Sequence, residues 1–119
     1  MDKIFFLIFT LFSLPSRNDV VNFLLEDETN LIPYSDEFDC KGFTETLMDN
    51  AIGFDAFPVA VGWNNGDGVV YHVFVGFETS DGVVWVEPQN DRFYVVSEES
   101  LCYEDGECVG DLLFVYTTP

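Results

Sequence analysis

The chain has very little positive charge. Against 22 Asp and Glu stand four Lys and Arg and a single His, a formal charge of −18 over 119 residues. A surface of that sign repels a phosphate backbone, which excludes nucleic acid as a partner, and it disfavours anionic lipid head groups for the same reason. Neutral or cationic ligands suit it better, as does a salt-rich setting that screens the self-repulsion. Long apolar runs are lacking too. The N-terminal run from Ile4 to Leu14 is interrupted by Thr10 and Ser13, and it falls short of the roughly 20 residues needed to span a bilayer. Cysteine is scarce: Cys102 and Cys108 stand close together and Cys40 is alone. A zinc site built from Cys40, His72, Cys102 and Cys108 has the right ligand types, but the gap between the paired cysteines is not that of a zinc knuckle. The acidic stretches "NNGDG" and "EDGE" lack the loop pattern of a helix-loop-helix calcium site and read as turns. No metal and no cofactor is expected.

What is present is a core. With 48% hydrophobic and 17% aromatic residues, a chain of this length is one packed domain, and disorder is not expected. Residues 1–14 stand apart from it. Their apolar run behind Lys3 resembles the apolar region of a secretory signal or an anchor. Asp2 cancels Lys3, and no small-x-small cleavage site precedes Arg17, so a short Phe-rich helix or strand packed on the domain is the competing reading. Membrane contact is expected only through this segment, and a secreted or tethered location is favoured over a cytoplasmic one.

From residue 15 to 119 the pattern predicts an α+β domain. Ser16 is a candidate N-cap with Asp19 in the first turn, followed by Val20, Val21, Phe23 and Leu24 at helical spacing. A second helix begins at Cys40, with Phe43, Leu47, Met48 and Ala51 on one stripe and Gly53 ending it. Then come short runs rich in β-branched and aromatic residues: "FPVAVGW", "VVYHVFVGFE", "VVWVE", "RFYVV" and "LLFVY". Their connections carry turn chemistry, so about five mostly antiparallel strands are expected, with the Cys40 helix laid across one face of the sheet. The Asp105-Gly106 turn between Cys102 and Cys108 brings those two within bridging distance, and a disulfide is expected if the chain is exported.

Cys40 at a helix start faces unpaired backbone N–H groups and the positive end of the macrodipole, both of which favour a thiolate. The only histidine, His72, lies inside a strand whose faces alternate. If the "TSDG" turn pairs Ser80 or Glu78 with Val83, residues opposite one another have an odd sum. Glu87, Gln89 and Asp91 then share the face of His72. Thiol, imidazole and carboxylate make a candidate nucleophile, base and orienting acid.

The text "FDCKGFTETLMDNAIGFDAFPVAV" followed by "HVFVGFETSDGVVWVEPQ" resembles the transglutaminase-like superfamily, the papain-like enzymes with helix-borne Cys, strand-borne His and an acid on the next strand. "PSRNDVVNFLLEDETNLIPYS" is similar to the leader helix of its small secreted or membrane-tethered prokaryotic members, and the likeness runs from Pro15 to Gln89. The resemblance implies Cys40 as nucleophile, His72 as general base and Glu87 as orienting acid, with Gln89 and Asp91 as alternates. The family usually has Asp where this chain has Glu87, and Trp where it has Phe74. The implied activity is thiol-dependent acyl chemistry on a peptide or protein amide, as a peptidase, amidase or acyltransferase. A cationic amine is a suitable acceptor. The competing reading is a non-catalytic binding module on the same fold, using exposed aromatics around Trp63, Trp85 and Tyr94.

Overall fold

The structure is a computed structural model that describes residues 14–117. The expected signal or anchor at residues 1–14 lies outside the described residues, Leu14 excepted. Among the described residues no helix is long and apolar enough to cross a membrane.

Two helices come first. Helix α1, Arg17–Glu26, opens with a reciprocal cap: the Ser16 hydroxyl accepts from the Asp19 amide, and the Asp19 carboxylate accepts from the Ser16 amide. The start of α1 is tied to a later hairpin, where the Ser80 amide donates to the Pro15 carbonyl at 2.9 Å. A 3₁₀ turn, Thr29–Leu31, leads to helix α2, Cys40–Asn50, which ends in a turn where Gly53 takes φ +88°.

Six strands follow rather than about five: β1 Asp55–Asn64, β2 Val69–Thr79, β3 Gly82–Val86, β4 Phe93–Val96, β5 Ser100–Tyr103 and β6 Cys108–Thr117. Every neighbouring pair is antiparallel, and β6 returns to β1 to close a barrel. The uncounted strand is β5. It is only four residues long, and a run that short between two turns shows no alternation. Cys102 and Cys108 are bonded to each other as expected. The hairpin between them turns at Gly106, whose φ of +99° suits glycine and few other residues.

The middle of strand β2, Phe74–Phe77, is covered on both faces. Val75 and Phe77 point outward and join Val20, Leu24, Leu47, Ala51, Val84 and Val86 in a core between the helices and the sheet. Phe74 points inward and joins Val59, Val61, Tyr94 and Leu101 inside the barrel. Each fully buried large side chain contributes roughly 1.5–3 kcal/mol. Leu47 has no exposed surface, so Leu47→Ala should cost about 2–5 kcal/mol in urea denaturation. Ser16→Ala, which removes only the α1 cap, should cost about 1 kcal/mol. A Leu47→Ala midpoint equal to that of the parent would mean that α2 is not seated on β2 and β3.

Candidate active site

The register of β2 on β3 positions the imidazole. Glu78 faces Val83 and Val75 faces Val86, which is the second of the two pairings expected from the hairpin turn. Carried past the last pair, the same register sets Glu87 opposite Phe74 and diagonal to His72, on the barrel-interior face. A glutamate spans that diagonal. The Nε2 of His72 bonds Glu87 Oε1, with Glu87 3% exposed.

Glu87 has two further donors. The Tyr94 hydroxyl donates to Oε1 at 2.7 Å, and the Gln89 amide donates to Oε2 at 3.1 Å. With Glu87 ionised, Nε2 carries the imidazole proton and Nδ1 keeps the lone pair. Nδ1 makes no hydrogen bond among the described residues. The Tyr94 phenol is held protonated, its pKa pushed up first by burial and then by the Glu87 carboxylate. Its ring stacks on Tyr103 at 4.6 Å, and the Arg92 guanidinium covers the far side of Tyr103 at 3.5 Å.

The backbone that presents Glu87 is a tight turn. The Glu87 amide donates to the Arg92 carbonyl, and the Glu87 carbonyl accepts from Asp91 at 2.8 Å. Pro88 is fully buried within it. A cavity of about 230 Å³ opens in front of the imidazole, walled by Trp63, Glu87, Gln89, Tyr94 and Tyr103. The Trp63 ring meets His72 edge-on at 6.2 Å. Gly110 makes room for that indole, because a Cβ there would sit 2.8 Å from Trp63 Cδ1.

Cys40 starts α2 on a well-built helix terminus. Asp39 is the N-cap, and its Oδ1 accepts from the amides of Lys41 and Gly42 at 3.1 and 3.4 Å. Phe38, just before the cap, packs edge-on against Phe43 at 4.7 Å, a hydrophobic staple that fixes the entry of the chain. The Cys40 amide donates no hydrogen bond among the described residues, and its thiol is free and half-buried. One turn on, the Thr44 hydroxyl donates to the Val73 carbonyl at 3.1 Å, beyond the last β2–β3 pair. That bond seats the start of α2 on the outward face of β2, opposite the inward face on which His72 lies. The Cys40 sulfur makes no hydrogen bond to His72, and Cys40 is not among the walls of the His72 cavity.

The other expected residues divide. Gln89 lines the cavity and gives its amide to Glu87. Asp91 is not on the face of His72. Pro88 ends the ladder and the chain turns, so the alternation of faces does not continue beyond it. Asp91 takes φ +59° and points toward the end of α1, where Asp27 is its charged neighbour. The aromatics expected on the surface are largely inside: Tyr94 is 4% exposed, and Trp63 and Trp85 are half-buried in the barrel core. Of the zinc ligands considered, Cys102 and Cys108 are consumed by their disulfide.

Tyr94 as a donor to Glu87 was not visible from the pairing of β2 and β3 alone. The pairing of Trp85 with Tyr94 has the same sum as the Glu87–Arg92 turn. Reading "EPQNDR" as that turn sets Tyr94 on the face of Glu87. Comparison with family models, with curated proteins and with solved structures gives no match. Chemically, the arrangement holds one imidazole through Nε2 with its second nitrogen open.

Asp91 yields a pH prediction. Its Oδ1 is buried without a partner, and burial, then repulsion from Asp27, pushes its pKa up to about 6. The folded state therefore binds a proton more tightly than the unfolded chain, and this carboxylate lowers stability as pH rises from about 4 to about 6. Asn removes the charge and tolerates the left-handed backbone. Asp91→Asn should be more stable than the parent by about 1 kcal/mol at pH 7, once partial exposure is discounted, with the difference shrinking below pH 4. Denaturation midpoints at the two pH values check this, and a gap that does not depend on pH would refute the origin given.

Proposed function

We propose that this chain is a thiol-dependent acyl-transfer enzyme of transglutaminase-like type, with Cys40 as nucleophile, His72 as base and Glu87 as orienting acid. The observation that supports it is the held imidazole: Nε2 is fixed by a buried carboxylate that has two other donors of its own, leaving Nδ1 open. In this reading Nδ1 takes the Cys40 proton, and the thiolate attacks the carbonyl carbon of an amide. The carbonyl electron pair moves to oxygen, where the free Cys40 amide is a donor for the oxyanion. As the tetrahedral species collapses, the C–N bond breaks and His72 returns its proton to the departing amine. A thioester on Cys40 remains. Water, deprotonated by His72, then gives hydrolysis, and an amine gives transfer; the charge of −18 concentrates a cationic amine. Glu87 stays ionised throughout and stabilises the imidazolium.

A catalytically inactive binding module is the second reading, favoured by the absence of a hydrogen bond between Cys40 and His72 in this structure. Alkylation of the free thiol separates the two. For the enzyme, iodoacetamide should modify Cys40 at least tenfold faster at pH 7 in the parent than in His72→Ala. Coincident rate profiles would mean that the thiol and imidazole are not coupled, and would favour the module. Among the acids, Glu87→Gln should slow the reaction severalfold, while Gln89→Glu and Asp91→Asn should stay within about twofold of the parent, because only Glu87 bonds the ring. A slower Asp91→Asn with an unaffected Glu87→Gln would reverse the assignment of the third member.

A further inference from the structure

A second cavity, of about 430 Å³, lies on the outer face of the barrel alongside α2. Its floor is a single cross-strand row: Ala60 of β1 faces Val73 of β2 on one side and Tyr116 of β6 on the other. Pro58 extends that floor, and Thr44 and Met48 form the helical wall. The hollow exists because Ala60 is small where its neighbours are large.

The wall lies on the helix that begins with Cys40, although Cys40 itself does not line the groove. Cys40, Thr44 and Met48 are spaced four residues apart and form one stripe along α2, so the groove runs up the helix face that begins with Cys40. Its two charged liners, Lys41 and Glu45, pair with each other across one turn at 3.9 Å. The groove is thus apolar and locally neutral in a chain of charge −18. An acidic ligand is repelled from it by the rest of the surface, and a cationic one finds no unpaired carboxylate among its walls.

The geometry points to this groove as the subsite for an uncharged apolar side chain, aromatic or branched, next to the amide that the substrate presents to Cys40. The inference rests on the reading of Cys40 as the nucleophile, and it adds the chemical class of the acyl donor. Recognition comes from burial of the apolar side chain against Ala60, Met48 and Tyr116.

Two alkylating reagents with one warhead test it on the intact protein. Iodoacetamide reports the reactivity of the thiol, and N-benzyl iodoacetamide adds an aromatic group for the groove, each rate being divided by that reagent's rate with free cysteine. The benzyl reagent should modify Cys40 about tenfold faster than iodoacetamide in the parent. Ala60→Phe, which fills the hollow, should bring the ratio to about one while leaving the iodoacetamide rate unchanged. Tyr116 is 61% exposed, so Tyr116→Ala is the variant to rely on if Ala60→Phe does not fold, and it should reduce the ratio severalfold. A parent ratio near one overturns the groove, as does a ratio unchanged in both variants. The proposed chemistry fails separately: a benzyl preference that disappears in the variants but does not depend on His72 supports the apolar site and removes His72 as the base.

Discussion

The burial of β2 on both faces is the constraint from which the rest of the molecule follows. A strand with helices on one side and a barrel on the other must have apolar residues at odd and even positions alike, and "VVYHVFVGFE" provides them. Two polar side chains interrupt this: Glu78, exposed at the far end, and His72, which falls on the inward face at the end of β2 that β3 does not reach. There a cavity forms. Further along the strand the same inward position is taken by Phe74, which has no exposed surface. An imidazole there would have no solvent route. The placement of the histidine is thus a matter of where β3 stops, and β3 stops at Val86 because Pro88 cannot continue its ladder.

A buried carboxylate beside that histidine is costly unless it is supplied with donors. Glu87 is supplied from three directions, by an imidazole on β2, a phenol on β4 and an amide of its own turn. Each comes from a different part of the barrel, so the charge is satisfied only when the register of β2, β3 and β4 is correct. Removing one donor leaves the others competing for a charge that solvent does not reach. This coupling makes the site a test of the fold. The length of a glutamate suits this place: the carboxylate stands opposite Phe74 and reaches diagonally to His72.

Much of this is legible in the sequence, for identifiable reasons. The Ser16 cap, the helix starting at Cys40, the β2–β3 hairpin and the disulfide are encoded within a few residues each, and local chemistry determined them. Parity alone placed Glu87 on the face of His72. The same parity misplaced Asp91, because alternation holds only while the strand is a strand, and the turn at Pro88 ends it. Strand β5 was missed because four residues between two turns carry no periodicity. Tyr94 carries no such signal, since nothing local distinguishes a tyrosine at an interface from one whose hydroxyl reaches a buried acid. Closure of the sheet into a barrel is a property of the β1–β6 pairing across the whole domain, and no local pattern specifies it.

The opening of α2 shows how local and tertiary terms meet at Cys40. "FDCKGF" is a compact N-terminal signal: Phe38 and Phe43 form the staple, Asp39 the cap, and Cys40 follows as the first helical residue. The Asp39 carboxylate accepts from two of the helix's unpaired amides, and its charge opposes an anion on the neighbouring sulfur even as the macrodipole favours one. The two effects act at similar range and oppose each other at the sulfur. An imidazole is needed as well, and its availability depends on the distance between a helix on the outward face of β2 and a histidine whose side chain lies on the inward face. That distance is governed by the seating of α2 on β2, through Leu47 and Ala51 in the core and the Thr44 bond to Val73 nearer the thiol. Thr44 therefore fixes the height of α2 along the outer face of β2, and any meeting of a helix-borne nucleophile with a sheet-borne base is set by that height.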